Sequence, residues 1–561
     1  MSVEKPVAAA TQWLDRFFDH SYRSNPVGAT FVGERGWDHR LPDYSERGRE
    51  GARSVIDSLL AESSALDVAS LSVAERHDVC LATGALRIQM SEMKGRHFQR
   101  GNPSLYTGEA AFGLISLFLT DFAPLAERVE ASVERMNALP AFFAQVKANV
   151  DAAPAAWTDR AIRETDGLLA LLADGLPSLA GMSEATALRA IEVAREATVD
   201  FRRYLELELA AHPRGDVAAG EEALALNLAE GHFLAEGAAE IERYARAELV
   251  EVKADLVTRA KEFGVNTPAE VLALLKEHCA TANQYEGQYQ RVWEESRTLA
   301  DSKGLLSWPD FPVRYVARPA WVKSAAPHLY FLFYRSPAAV PSARPPIHEY
   351  LIPTLDATPT ADSQRAFLEA HNDSVIKLNH VVHHGGIGHH VQNFHAFRAA
   401  SRIGRMAAVD CASRIALLCG GTMAEGWACY ATDLMGEAGF LTPLERYAER
   451  QGRARMCARA IVDVKVHRGE WTLDQAARFY EEDALMPRAA AMSEAVKNSM
   501  FPATAVMYLM GRDAIHRLRS EMQRLQGREF SLKGFHDEFL SYGSIPVRLI
   551  AAAMKERRRP F

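Results

Sequence analysis

The chain is predicted to be mostly α, a large multi-helix body with one small β-ribbon near residues 325–355. Three observations carry this. Apolar residues recur at helical spacing through most of the 561 residues. Those stretches are rich in Ala, Leu, Glu and Arg, the strong helix formers. Prolines, by contrast, crowd into one short region in the middle. A hydrophobic share of 48% is ample for a sizeable core.

A first helix is predicted over 11–20, where Trp13, Leu14, Phe17 and Phe18 form one apolar stripe. The stretches 139–151, 161–174 and 183–211 follow the same rule. The last stops before His212-Pro213, because proline lacks the amide hydrogen that a helix needs. Residues 221–263 read as a long charged helix with Gly231 and Gly237 as weak points, and 268–297 continues in the same style. Between Trp308 and Pro359 the prolines cluster around two strand-like runs, 328–334 and 347–352. These predict a hairpin or three-stranded ribbon, an element that often edges a substrate cleft. Tyr330 and Tyr334 on it are therefore candidate substrate-binding residues. Helices resume from about 361 to the C-terminus.

No repeat or low-complexity linker separates autonomous halves. Residues 1–561 are read as one helical domain, whole or two-lobed. Its parts are an N-terminal lobe over about 1–300, the ribbon over about 308–360 and a C-terminal lobe over about 361–561.

Net charge is −8 with a pI near 6.2, and the basic tail Lys555-Glu556-Arg557-Arg558-Arg559 stands alone. Nucleic acid is thereby excluded as the main partner. The six cysteines form no CxxC pair and no disulfide spacing, which suits reduced thiols. The start, Met-Ser-Val-Glu-Lys-Pro, has no apolar signal core, and the apolar run 110–120 is too short to span a bilayer. A cytoplasmic protein without membrane contact is the expectation. Oligomeric state is not legible.

One window departs from all this. His380, His383, His384, His389, His390 and His395 lie within sixteen residues, although the whole chain holds 19 histidines. Packing gives no reason to crowd imidazoles, whereas a divalent cation does. On an ideal helix His380 and His384 share a face. His383 and His390 lie about 10 Å apart along the axis, and could share an ion only across a break. Gly385, Gly386 and Gly388 supply such a break. A further ligand must come from elsewhere. Glu425 is the one carboxylate in the apolar stretch Gly420–Tyr430, where it needs a cation, a base or a proton. Two histidines and a glutamate with an open position suit a catalytic zinc.

These motifs resemble those of the bacterial family known as domain of unknown function 885. Its motif His-Glu-x-x-Pro-Gly-His-His-x-Gln appears here as His383-His384-Gly385-Gly386-Ile387-Gly388-His389-His390-Val391-Gln392. Its Glu-Gly-Trp-Ala-x-Tyr segment appears as Glu425-Gly426-Trp427-Ala428-Cys429-Tyr430. Asp38-His39-Arg40-Leu41-Pro42-Asp43, Asn102-Pro103-Ser104-Leu105-Tyr106 and Gly543-Ser544-Ile545-Pro546 agree in the same order. The family is similar to helical zinc metallopeptidases of the gluzincin type, such as thimet oligopeptidase and carboxypeptidase Taq.

That likeness implies a metallopeptidase-like body in which His383, His389 or His390, and Glu425 hold zinc and an amide or peptide bond is hydrolysed. The family's general-base glutamate is replaced by His384, its proline by Ile387 and a later glutamate by Thr432. Three outcomes are open: a hydrolase of a small peptide-like or amide substrate with His384 as base, a metal- or ligand-binding pseudoenzyme, or a non-hydrolytic Fe, Mn or Cu enzyme. Tyr508 is a candidate oxyanion donor and Arg512 a candidate carboxylate clamp. Gln392, Asp463 and His467 are candidates for orienting the ligands from behind.

Overall fold

Trp13, Leu14, Phe17 and Phe18 are all buried on the helix Glu4–Ser24, as their spacing requires. In the computed structural model, the described residues are 4–558 apart from 215, 311, 330–333, 336–347, 356–359 and 408–415. They are mostly helical. By their contacts they form two compact units, one of Met1–Ala219, Arg318–Pro345 and Val409–Ala416, the other of Gly220–Ala317, Pro346–Ala408 and Leu417–Phe561. The helical run from 220 to about 300 thus groups with the histidine-rich part of the chain.

The first unit is built on Pro103–Leu119, Leu125–Asn149, Ala155–Ala170 and Ala185–Tyr204. Its core stacks Phe143 on Phe201 at 4.4 Å between ring centroids. Arg135 is wholly buried there, and desolvation pulls its pKa down to about 10. It stays tolerable because its guanidinium donates to the Arg40 carbonyl at 3.0 Å and to Thr30 Oγ1 at 2.8 Å. The helix predicted over 183–211 ends as Ala185–Tyr204 with a π turn, Leu205–Leu209, ahead of Pro213.

In the second unit the predicted helix 221–263 is broken where its glycines sit. It becomes Glu221–Leu226, a π turn Asn227–Gly231, and Ala238–Ala260. The stretch 268–297 likewise divides into Pro268–Glu277 and Tyr285–Ser302. Gly421–Glu437 packs closely against Met507–Gln526, because a Cβ on Gly426 would stand 2.5 Å from the Gly511 carbonyl carbon. Only glycine permits that approach. The helices Ala238–Ala260 and Pro443–His467 complete the core around Tyr447, Cys457 and Leu509.

A three-stranded ribbon forms, as one of the two predicted alternatives, with His348–Ile352 between Val313–Ala317 and the short strand Tyr334–Arg335. Val313–Ala317 pairs in parallel with His348–Ile352, Val313 opposite His348 and Ala317 opposite Ile352. A parallel pair needs a long crossover rather than a tight turn, and the proline-rich run supplies the length. The strand-like start of 328–334 is instead a 3₁₀ turn, Ala326–His328, with Pro327 in its first turn. Among the described residues no helix is long and apolar enough to cross a membrane.

Candidate metal centre

The histidine segment does not continue as an α-helix. Val375–Gly385 winds as a π-helix, with each amide reaching five residues back, and ends where the Gly386 amide donates to Val381. His380 and His384 both lie beside Tyr350, with ring centroids 5.4 and 5.8 Å from its ring, but only His384 joins the other site histidines. His380 turns inward, where its Nδ1 lies 3.0 Å from the Tyr289 hydroxyl and its ring stacks on Tyr289. Burial holds its pKa down to about 3.

Past Gly385 the chain folds back tightly. A Cβ on Gly388 would lie 1.9 Å from the His383 carbonyl oxygen, so no other residue fits this bend. Two indoles hold it from either side. Trp293 Nε1 donates to the Gly385 carbonyl at 2.8 Å and Trp427 Nε1 to the Ile387 carbonyl at 2.9 Å. A new helix, His389–Ala396, then begins, and it brings His389 rather than His390 back beside His383.

The rings of His383 and His389 lie 4.9 Å apart, those of His383 and His384 4.7 Å, and those of His384 and His389 5.5 Å. One ligand nitrogen from each falls within 4.8 Å of the others. Glu425, two helical turns before Asp433 on Gly421–Glu437, adjoins two of these rings. Its Oε2 is 3.2 Å from His383 Nε2 and 3.8 Å from His389 Nε2. The carboxylate is 9% exposed. Its pKa is held well below the usual range by the two histidines, against the opposing effect of burial.

The tautomers can be read from the partners. His384 Nδ1–H donates to the Asn379 carbonyl at 2.7 Å, which leaves Nε2 with its lone pair. Burial and the neighbouring rings push the His384 pKa well below 6.5, so it is neutral at pH 7. His389 Nδ1–H donates to Gln392 Oε1 at 2.8 Å, and Gln392 Nε2 donates to Ser544 Oγ at 2.6 Å. With Nδ1 so engaged, His389 Nε2 faces the carboxylate oxygen either as an imidazolium N–H or as a bare lone pair. Two lone-pair atoms facing each other in a buried site call for a proton or a cation between them. The donor set of imidazole nitrogens and one carboxylate oxygen suits zinc and other first-row divalent ions.

The other candidates go elsewhere. His390 is buried with its ring 6.4 Å from Trp308, and His395 Nε2 lies 3.1 Å from the Ser307 carbonyl. Arg512 is engaged internally, with Nε 2.6 Å from Asp433 and Nη1 2.8 Å from Asp513. Those bonds consume the fork that a substrate carboxylate would need. Asp463 and His467 do not orient a ligand histidine. Asp463 accepts from the backbone amides of Ala503, Ala505 and Val506, bracing a turn in which Ala503 has φ +65°. Burial pushes its carboxyl up to about 7 against the pull of those three donors. His467 Nε2 donates to the Asn498 carbonyl. Tyr508 lies beneath the Arg459 guanidinium, 4.6 Å from its ring. Tyr330 is outside the described residues, as is the side chain of Tyr334.

Sequence reading passed over the two tryptophan clamps and Ser544, although Trp427 and Ser544 both lie in the quoted motifs. Their hydrogen bonds join positions 40 and 152 residues apart, and periodicity carries no such signal.

A family model described as "Bacterial protein of unknown function (DUF885)" matches residues 26–554. Two solved structures share the fold. One is a candidate lipoprotein of unknown function from Shewanella oneidensis, 20% identical, with a TM-score of 0.77 over 97% of this chain and 99% of that one. The other is a candidate lipoprotein from Colwellia psychrerythraea, 14% identical, with a TM-score of 0.75 over 98% and 99%. No curated protein matches.

Proposed function

The chain belongs to this bacterial family of unknown function, DUF885, and on that premise we propose that it is a metal-dependent hydrolase of an amide or peptide-like bond in a small substrate. The observation that carries the reading is the convergence of His383 Nε2 and His389 Nε2 on one buried carboxylate oxygen of Glu425. These three residues would hold the ion, with zinc the expectation from the nitrogen-rich set. A divalent cation there supplies Lewis acidity, polarising a carbonyl and making water a better nucleophile at neutral pH.

The chain's own groups do the rest. Gln392, anchored on Ser544, fixes the tautomer of His389. The Asn379 carbonyl fixes that of His384, whose Nε2 is free of its own proton and can accept one from attacking water. Burial disfavours the resulting imidazolium, so His384 is a weaker base than a glutamate in its place. Tyr508 as oxyanion donor remains part of the proposal, with Arg459 over its ring to lower the cost of a partly ionised phenol.

A second reading is favoured by one observation: the His384 ligand nitrogen lies in the same 4.8 Å set as those of His383 and His389. As a further ligand, His384 would close the site and give a metal-binding pseudoenzyme or a non-hydrolytic Fe, Mn or Cu centre. His384→Glu separates the two. On a panel of N-acyl aminoacyl amides with zinc, the hydrolase reading expects turnover by the wild type and at least about tenfold more from the variant. Stoichiometric metal in both proteins with hydrolysis by neither would leave the second reading standing.

Compartment is also a proposal. The buried thiols of Cys429 and Cys457 suit a reducing cytoplasm, whereas the lipoprotein naming of both structural neighbours favours the cell envelope. Fractionation of the native host settles which holds.

A further inference from the structure

The β-ribbon reaches the metal centre through a tyrosine that no sequence motif marks. Tyr350 lies on His348–Ile352, the middle strand of the three, directly opposite Tyr315 on Val313–Ala317. A strand flanked on both edges has little freedom to redirect its side chains. Tyr350 is 2% exposed. Its ring packs against those of Tyr315 and Tyr289, with centroids 5.7 and 6.3 Å away. Tyr289 comes from the helix Tyr285–Ser302, and its hydroxyl lies 3.0 Å from the Tyr285 hydroxyl as well as from His380. The Tyr315 hydroxyl stands over Gly385, where a Cβ would come within 2.2 Å of it. Tyr350 is thus braced from two further elements.

The same ring touches the histidine segment. It meets His380 at 5.4 Å and His384 at 5.8 Å, tilted by 57° to the latter. Three rings lie against His384 among the described residues: His383, His389 and Tyr350. The first two are themselves candidate ligands. Tyr350 alone is not.

His384 needs such a contact. Its Nδ1–H is tethered to the Asn379 carbonyl by one hydrogen bond of 2.7 Å. The residue is half-buried, so water competes for that donor, and a single bond is a weak hold. It also leaves the ring free to turn about the bond's own axis. A ring that leaves the carbonyl can carry its proton on Nε2, where it can no longer accept one.

We propose that Tyr350 is a positioning residue, whose ring keeps His384 on the Asn379 carbonyl with Nε2 turned to the ion. The assignment rests on the metal site described above, and its kinetic consequence rests on the hydrolase reading. The contact is made by the ring, so phenylalanine should serve in its place and a flexible aliphatic chain should not.

The test is nitrogen NMR of metal-free protein isotopically labelled in its histidines, at pH 7, with the His384 signals identified by their loss in His384→Gln. Wild type should show His384 as one tautomer, protonated at Nδ1. Tyr350→Phe should keep that pattern. Tyr350→Met, which fills the space without a flat face, should give averaged shifts. With zinc and the amide panel, Tyr350→Met should lower kcat at least about tenfold with KM within about twofold. Tyr350→Phe should stay within about twofold of wild type in both. A single Nδ1–H tautomer in Tyr350→Met, or averaged shifts already in wild type, would overturn the assignment. Should Tyr350→Met not fold, Tyr350→Leu replaces it. Failure of both beside a folded Tyr350→Phe would also overturn it, by making the ring a part of the core alone. The expected shifts in a zinc-treated protein that hydrolyses nothing would support the positioning role and remove the hydrolase reading alone.

Discussion

His389 Nε2 stands 3.8 Å from Glu425 Oε2, while the adjacent ring, His390, is turned to Trp308. Two neighbouring residues of one type thus have different surroundings, and metal binding should distinguish them. His389→Ala should lower zinc affinity at least about a hundredfold, roughly 3 kcal/mol. His390→Asn should leave the metal content unchanged even where it loosens the packing. Elemental analysis after dialysis reads both, and equal loss in the two variants would refute the assignment.

Gln392 touches no candidate ion but receives the His389 Nδ1–H and leans on Ser544. Gln392→Ala should free the ring to rotate and exchange tautomers. The expected cost is about 10–100-fold in metal affinity, with the fold intact. A competition titration against a chromogenic chelator measures it, and an unchanged affinity would show that the amide does not position the ring.

The bend between the two histidine-bearing helices is held by Trp427 and permitted by Gly388. Trp427→Phe removes one hydrogen bond and leaves the Ile387 carbonyl unsatisfied, at a cost of about 1–3 kcal/mol together with lost packing. Gly388→Ala forces a methyl against the His383 carbonyl oxygen and should cost about 2 kcal/mol or more. Both should lower metal affinity along with the urea midpoint. A variant that lost stability but bound zinc as tightly as wild type would separate the bend from the site.

His536 should make the protein sensitive to acid. It is fully buried and neutral, donating from Nδ1 to the Leu305 carbonyl and accepting the Tyr430 hydroxyl at Nε2. Burial lowers its pKa from 6.5 to about 4. Below pH 6.5 the unfolded chain takes up this proton before the folded one, so stability falls with pH from about 6.5 to about 4. The loss from this group is at most about 3 kcal/mol. Urea midpoints at pH 7, 5 and 4 should fall less for His536→Gln than for wild type, and parallel curves would contradict the assignment.

Much of the fold was legible because helices are local. The stripe of Trp13, Leu14, Phe17 and Phe18 predicts its own burial, since contacts three and four residues apart decide it. The same locality explains the breaks at Gly231 and Gly237. The parallel pairing of Val313–Ala317 with His348–Ile352 was not legible, because it joins segments 35 residues apart whose local pattern also suits a hairpin.

The ingredients of the candidate site were likewise present in the chain: clustered imidazoles, a glycine-rich interruption and one carboxylate in apolar surroundings. Which rings would meet was not. A π-helical winding is announced by no residue type, and the partner of His380, the Tyr289 hydroxyl, lies 91 residues away along the chain. Arg512 looks available as an arginine on a helix. Only the placement of Asp433 and Asp513 shows that it is occupied.

Local order was therefore written in the residues, since helix period, glycine hinges and composition act over a few positions. The direction of each ring, the choice between His389 and His390, and the engagement of Arg512 came from tertiary packing. The physical reason is that a side chain's partner is decided by distance in space. Folding brings together groups such as His389, Glu425 and Ser544 that lie far apart along the chain.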